Sequence, residues 1–432
     1  MLKKTAASVI IFILSILPAV TAEPKPESKT EPLQIKVESS CKSHLVHVNE
    51  PFEFIITASR PEKVRVDITA EGKPRQVVRV IPPARIPVTL PHPGFVLCKV
   101  FTSDRNVKPV YCGVGADPDK LHPLLPEPED FDEFWANTKK ELAAIPADFK
   151  MDKIGSDDVF NYYRISCANL NNQRAYGFLS LPVDTSKKVP LLVTFPGGEA
   201  YFFENAFKGY SYFRKMMGFD CARLVYHLPP YQPMKTKQEA KERHAQFLKE
   251  IGLRRYIYIH PGDRNKFYAR TAVAGCIRLL DEALKQPGID PDRVGYHGAS
   301  HGGGFGLYLA AFSGKIKAAF CGVPNFGDRG GYLAGRFRPD SDGPEIDGKG
   351  RKNLKTLLYF DASYAARRIT IPVMIGVGFT DVSCPPSGGY AIYNELKGPK
   401  KMFNKIHYGH SGGPPEYTPA SYQWVAKHLT GK

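Results

Sequence analysis

The pattern of apolar and polar positions divides the chain into two parts. Between residues 33 and 115 short runs alternate between apolar and polar positions, with Gly, Pro, Asn and Asp between them: LQIKVES, FEFIITAS, KVRVDITA, QVVRVI, FVLCKVFTS and PVYCGVG. Several short strands at this spacing are typical of a β-sandwich. We therefore predict an N-terminal immunoglobulin-like β-sandwich domain over residues 33–118.

The pattern changes after the Pro-rich stretch PLLPEPED, residues 123–130. In DFDEFWANTKKELAAI the helical spacing selects one buried face, made of Phe131, Phe134, Trp135, Thr138 and Leu142. Asp130, followed three residues later by Glu133, predicts a capping box at the start of this helix.

Beyond this helix, strand-like apolar runs alternate with helical ones. The strand-like runs are VPLLVTFPG, CARLVYHLP, RVGYHGAS, IKAAFCGVP, IPVMIGVGFTD and NKIHYGH, and the clearest helical runs are YARTAVAGCIRLLDEALKQ and GGFGLYLAAF. This order predicts an α/β domain over residues 119–432, with a mainly parallel sheet covered by helices. Residues 325–353, rich in Gly, Asp, Arg and Lys, are predicted to be an excursion over that sheet.

The extreme N-terminus has the pattern of a secretory signal. Lys3 and Lys4 precede the apolar run AASVIIFILSILPAV, and the segment VTA follows. A membrane anchor is the alternative, but it needs about 20 apolar residues, and this run is shorter and interrupted by Pro18. We predict a signal peptide at residues 1–22, a polar linker at 23–32, a secreted or periplasmic location and no stable membrane anchor.

Composition narrows the function classes. The chain has 432 residues, 43% hydrophobic and 24% charged, which excludes a disordered protein. Its net charge of +16 either favours anionic partners or only aids solubility. We find no nucleic-acid-binding motif and no zinc spacing among the eight cysteines. Cys98 and Cys112 are the first pair to consider for a disulfide, but the sequence leaves the connectivity open.

The stretch GYHGASHGGGFG, residues 295–306, raises the question of chemistry. A G-x-S-x-G match also arises by chance, and glycine clusters are common in loops. Here Ser300 falls between a predicted strand and a predicted helix, which is the setting of a nucleophilic serine on a sharp turn. Such a serine needs a base and an orienting acid. In α/β-hydrolases these follow in the order acid, then histidine, which selects Asp381 and His410.

Other residues compete for these roles. Asp361 is an alternative acid, although the pattern around it indicates the middle of a helix. His407 is an alternative base, but an alternating strand would point its ring at one face of the sheet. His297 and His301 flank the serine closely in sequence. A metal site built from these two and His227 lacks known ligand spacing, so we predict neither metal nor cofactor.

An acyl-transfer enzyme also needs donors for its oxyanion. The backbone N–H of His301, directly after the nucleophile, is the first candidate. The second is the amide of Gly198 in VTFPGGEAYFF, the loop after an early strand. An ordinary Gly-Gly turn remains the alternative for that segment.

Residues 124–432 resemble the acetyl xylan esterases and cephalosporin-C deacetylases, a carbohydrate esterase family. The resemblance rests on DFDEFW, on FYARTAVAGCIRLLDEAL before GIDPDRVGYHGASHGGG, and on TDVSCPPSGGYAIYNEL and YGH. It implies an α/β-hydrolase fold, removal of acetyl groups from sugar hydroxyls, and often a ring-like homo-oligomer. It carries the nucleophile, acid and base to Ser300, Asp381 and His410, and the oxyanion amides to Gly198 and His301.

The chain departs from the family pattern at positions around the site. The family usually has glutamine where His301 stands, and HGY where this chain has PGG. The expected function is a secreted serine esterase acting on acetylated carbohydrate. A glucuronoyl esterase, a peptidase and a non-catalytic glycan-binding protein are the alternatives. Since every predicted site residue follows the N-terminal β-sandwich domain, we expect removal of that domain to leave hydrolysis of small esters largely unchanged.

Overall fold

A computed structural model describes residues 33–198, 210–338 and 353–430. The predicted signal peptide and linker, and part of the predicted excursion, lie outside the described residues. Across the described ranges, no helix has the length and apolar character needed to cross a membrane.

The N-terminal part consists of two sheets packed face to face. One sheet has the order β1-β3-β6 and the other β2-β8-β7-β4-β5. Apolar side chains of both sheets, such as Phe54 and Val66, share one core. Cys98 and Cys112 lie directly opposite each other on two neighbouring strands, and both thiols are free. The strands are β1 Ile35–Ser39, β2 Leu45–Val46, β3 Phe52–Ala58, β4 Val64–Ala70, β5 Gln76–Val80, β6 Ala84–Val88, β7 Gly94–Phe101 and β8 Val110–Ala116.

The second part is built on a larger, mostly parallel sheet. Its order is β17-β16-β15-β14-β12-β13-β11-β10-β9. The first six strands in this order are parallel to one another. The last three are added antiparallel, β11 against β13, then β10 and β9. This arrangement confirms the predicted α/β fold with an N-terminal sheet domain. The strands are β9 Lys150–Ser156, β10 Phe160–Ala168, β11 Arg174–Pro182, β12 Val189–Thr194, β13 Ala222–His227, β14 Ile289–Ala299, β15 Ala318–Gly322, β16 Val373–Gly378 and β17 Lys400–Lys405.

Helices flank this sheet. They are α1 Phe131–Ala144, α2 Tyr210–Met217, α3 Lys237–Ile251, α4 Tyr268–Ala283, α5 His301–Phe312, α6 Leu354–Leu358, α7 Ala362–Ala366, α8 Pro386–Glu395 and α9 Tyr417–Thr430. Helix α5 packs against β14 and β15, and α9 packs against the same two strands. Strand β14, which leads to Ser300, is therefore packed against two helices.

Helix α1 has the predicted buried face but not the predicted cap. All five residues of that face are buried. The Asp130 side chain makes no capping bond to the helix amides. Its carboxylate instead accepts hydrogen bonds from Arg264 at 2.7 Å and from the Tyr359 hydroxyl. The capping-box prediction was wrong because these two distant donors take up the carboxylate.

Two further local predictions differ from the structure. The predicted strand NKIHYGH is wrong, because β17 ends at Lys405 and a turn follows, in which the Tyr408 amide bonds the Lys405 carbonyl at 3.2 Å. His407 therefore lies outside any strand. Asp361 is not in mid-helix, since it caps α7 by accepting a hydrogen bond from the amide of Ser363 at 2.9 Å.

Candidate active site around Ser300

Ser300 occupies the turn between β14 and α5, as the motif predicts. Its backbone has φ 60° and ψ −123°, a conformation that residues other than glycine rarely adopt. Surrounding hydrogen bonds hold this turn. The Ser300 amide donates to the Gly322 carbonyl at 2.9 Å, and the Ser300 carbonyl accepts from the Asn325 amide at 3.0 Å. The strained turn thus projects the hydroxyl from the sheet edge.

Close packing explains the glycine that stands two residues after the serine. A Cβ atom at Gly302 would overlap the carbonyl oxygen of Phe195, in the loop after β12. Any larger residue at this position would push that loop away from the start of α5. The glycine therefore lets two backbone segments meet beside Ser300.

The side chains of Ser300, His410 and Asp381 form one hydrogen-bonded chain. The Nε2 atom of His410 lies 3.0 Å from Oγ of Ser300, and its Nδ1 atom lies 2.9 Å from Oδ2 of Asp381. The Asp381 side chain is fully buried, whereas that of His410 is 33% exposed. A carboxylate only accepts, so the imidazole carries its proton on Nδ1 and turns the lone pair of Nε2 toward the serine.

The sheet brings these three side chains together. Ser300 follows β14, Asp381 follows β16 and His410 follows β17, all within the parallel part of the sheet. The carboxyl ends of parallel strands meet at one edge. Residues more than a hundred positions apart in the chain are therefore neighbours there.

Lys405 supports the His410 loop and was missed by the sequence analysis. Its side chain is buried, and its Nζ atom donates to the carbonyl oxygens of Gly409 at 3.1 Å and Gly412 at 2.8 Å. These two carbonyls lie on either side of His410. Burial lowers the pKa of Lys405, and the nearby negative charge of Asp381 opposes that shift. The one sequence signal is a lysine at the end of the last strand.

The two residues predicted to supply the oxyanion amides, Gly198 and His301, lie next to each other. A Cβ atom at Gly197 would stand 3.9 Å from Cβ of Ser300, and one at Gly198 would stand 3.4 Å from Nδ1 of His301. His301 is the first residue of α5, where helix amides have no acceptor within the helix. The PGG segment and the start of α5 thus form a backbone-lined corner beside the Ser300 hydroxyl.

The side chain of His301 is buried and neutral. Burial lowers its pKa to about 3, and the positive charges of Arg255 and Arg329 act in the same direction. Its ring meets Phe326 edge-on, with ring centroids 5.2 Å apart. Its Nε2 atom has no hydrogen-bond partner within the described part of the chain. The imidazole therefore adds no charge to the site.

His297 has a structural role, because its ring is hydrogen-bonded to Ser421 and not to Ser300. Its Nε2 atom lies 2.9 Å from Oγ of Ser421, and its ring stacks on Tyr422 at 4.0 Å. Burial lowers its pKa to about 3. Over residues 33–198, 210–338 and 353–430, no group of three ligating side chains is placed to hold a metal ion. The alternative site of His227, His297 and His301 is therefore not assembled among these residues.

The remaining candidates lie apart from the serine. The ring of His407 meets that of His44, with centroids 5.2 Å apart. The Asp361 carboxylate accepts the amides of Arg329 and Ser363. Burial and the neighbouring Asp328 raise the pKa of Asp361 to about 6. Its hydrogen bonds hold loops together.

Solved structures share this fold. An acetyl xylan esterase from Paenibacillus sp. R4 superposes with a TM-score of 0.60 at 21% identity, covering 72% of this chain and 98% of that one. Acetyl xylan esterase 1 from Thermoanaerobacterium sp. JW/SL YS485 gives 0.59 at 20% identity, covering 72% and 97%. At this level of identity the likeness shows the α/β-hydrolase fold.

The sequence comparisons identify a protein family as well as a fold. The acetyl esterase Axe7A of Xylanibacter ruminicola is 27% identical over 328 residues, which cover 72% of this chain and 70% of that protein. The family model for acetyl xylan esterases matches residues 119–330 and 344–428, well over half of the chain. The chain therefore belongs to the acetyl xylan esterase family.

Proposed function

We propose that this protein is a secreted serine esterase that removes acetyl groups from acetylated polysaccharides or oligosaccharides. The observation that carries the proposal is the continuous hydrogen-bonded chain from Ser300 through His410 to Asp381, on the fold of an esterase family. A protein that only bound glycans would have no need of this alignment.

The geometry supports a two-step acyl transfer. Ser300 Oγ attacks the acetyl carbonyl carbon while Nε2 of His410 takes its proton. Asp381 stabilises the imidazolium that forms, and the amides of Gly198 and His301 donate to the oxyanion. The bond between the acetyl carbon and the sugar oxygen then breaks, and His410 gives the proton to that oxygen, which leaves as a hydroxyl. Water, activated by His410, hydrolyses the acetyl-enzyme and releases acetate.

Acetyl as the acyl group rests on the family and on the names of its relatives. Export rests on the predicted signal peptide at residues 1–22. A homo-oligomer rests on the family resemblance alone, and size-exclusion chromatography with light scattering would test it.

A substrate panel with one pair of variants tests the proposal. We expect acetate release from acetylated xylan, other acetylated glycans or a chromogenic acetate, with little cleavage of a methyl glucuronate ester or of peptides. Ser300→Ala should lower kcat by at least about a thousandfold. Ser313→Ala, just beyond the other end of α5, is the matched control. A folded Ser300→Ala protein with near wild-type turnover would refute the proposal, and a preference for the glucuronate ester or for peptides would replace the acetyl assignment.

A further inference from the structure

The N-terminal sheet domain touches the loop that carries Asp381. Strand β8 runs so close to that loop that a Cβ atom at Gly113 would stand 2.5 Å from the carbonyl oxygen of Phe379. The ring of Phe95, on β7, meets the ring of Phe379 edge-on with centroids 5.2 Å apart. Phe379 is two residues before Asp381. The N-terminal sheet domain therefore contacts both the backbone and the side chain of Phe379.

A second contact reaches the loop that carries His410. His44, buried in the front domain, meets His407 edge-on at 5.2 Å. Its Nδ1 atom lies 3.0 Å from the carbonyl oxygen of Gly113, so the ring is fixed to the same strand that contacts Phe379. Burial lowers the pKa of His44, which favours the neutral form of its ring at this contact. His407 precedes His410 by three residues.

The loop that carries Asp381 and the loop that carries His410 are also hydrogen-bonded to each other. The Phe379 amide donates to the Lys405 carbonyl at 3.1 Å, and the Thr380 amide donates to the Tyr408 carbonyl at 3.3 Å. A displacement of one loop would therefore move the other. The N-terminal sheet domain contacts both of these loops, at Phe379 in one and at His407 in the other.

We propose that the N-terminal sheet domain positions the acid and the base, with His44, Phe95 and Gly113 as positioning residues. The proposal rests on the function proposed above. The front domain holds the two loops so that His410 keeps its 2.9 Å and 3.0 Å contacts at the same time. Loss of alignment of about 1 Å costs roughly a hundredfold in rate. This proposal predicts the opposite of the sequence-based expectation that small-ester hydrolysis survives removal of the N-terminal domain, and the experiment below decides between the two.

Point variants at the contact test this role in the full chain. Gly113→Ala introduces a methyl group that must displace the Phe379 backbone, and His44→Ala removes the ring behind His407. We expect kcat on a chromogenic acetate to fall about 10- to 100-fold with KM within about twofold. The acidic limb of the pH profile of kcat/KM should move to lower pH, because a displaced carboxylate stabilises the imidazolium less.

Controls separate positioning from packing. His47→Ala removes an exposed histidine of the same domain that bonds Asp117 and should leave kcat and the pH profile unchanged. His44→Phe keeps an aromatic ring against His407 and should restore most of the kcat lost in His44→Ala. If Gly113→Ala does not fold, the comparison of His44→Ala with His44→Phe tests the proposal. Folded variants with an unchanged pH profile, whatever their kcat or melting temperature, would overturn the proposal. Failure of the esterase function itself would show separately, as an inactive wild-type protein.

Discussion

The Oδ2 atom of Asp381 lies 2.9 Å from Nδ1 of His410. The other carboxylate oxygen accepts the amides of Ser383 at 2.8 Å and Cys384 at 2.9 Å. Both oxygens therefore act as acceptors, which fixes the rotamer of the acid. In turn, the acid fixes the tautomer and the orientation of the imidazole.

Asp381→Asn should test this relationship with little change of shape. An amide that keeps the Ser383 and Cys384 bonds through its oxygen presents an N–H to His410, which favours the wrong tautomer. We expect kcat to fall about 10⁴-fold while the protein stays folded. Steady-state kinetics with circular dichroism would measure this.

Asp292→Asn, on β14, is the matched control because its side chain is exposed. It should behave as wild type. A loss of less than tenfold in Asp381→Asn would contradict the assigned role of the acid.

Lys405→Met should separate activity from stability. The variant loses the hydrogen bonds to Gly409 and Gly412 on either side of His410, so the loop loosens and kcat should fall about 10- to 100-fold. Burial disfavours the charge of Lys405, and a methionine removes that penalty, so the melting temperature should change little. Kinetics and thermal melts measure the two effects.

Lys401→Met provides the comparison for this variant, since Lys401 is an exposed residue of the same strand. It should leave both quantities unchanged. Equal kcat in Lys405→Met and Lys401→Met would rule out support of the His410 loop by Lys405.

The sequence predicted features whose signal is local. Ser300, Asp381 and His410 stand in recognisable segments at strand ends, and the alternating runs correctly predicted strands such as β3. Features that depend on distant partners carry no such signal. Asp130 has the spacing of a helix cap, yet Arg264 takes its carboxylate from 134 residues away. The contact of Gly113 with Phe379 likewise joins two segments that give no sign of each other.

His301→Gln would restore the residue usual in the family. The predicted oxyanion donor is the backbone N–H, which the substitution keeps, and the buried ring is neutral, so no charge is lost. We expect kcat on a chromogenic acetate to stay within about tenfold of wild type. Kinetics on acetyl and longer acyl esters would measure this, since the ring packs beside Gly198 and its replacement changes the shape of the site. A hundredfold loss on the acetate would show that the imidazole itself takes part in the reaction.

Glu71 makes the contact between the two parts of the protein sensitive to pH. Its carboxyl group is buried, and it accepts the amide of Phe337 at 2.7 Å and the amide of Phe95 at 2.9 Å. Burial raises its pKa from the usual 4.5 to about 7, in spite of these two bonds. Below pH 4.5 the folded and unfolded chains both hold the proton. Between pH 4.5 and 7 the folded chain keeps the proton while the unfolded chain loses it, so the stability that this group contributes is lost as the pH rises.

Glu71→Gln removes this titration and keeps an acceptor oxygen. Relative to wild type, the variant should gain about 2.5 kcal/mol in free energy of unfolding between pH 5 and pH 8. Urea denaturation of both proteins at the two pH values measures the difference, and Glu133→Gln, an exposed position on α1, controls for the loss of one carboxylate. If the difference between Glu71→Gln and wild type is the same at pH 5 and pH 8, Glu71 does not take up a proton in the folded protein over this range.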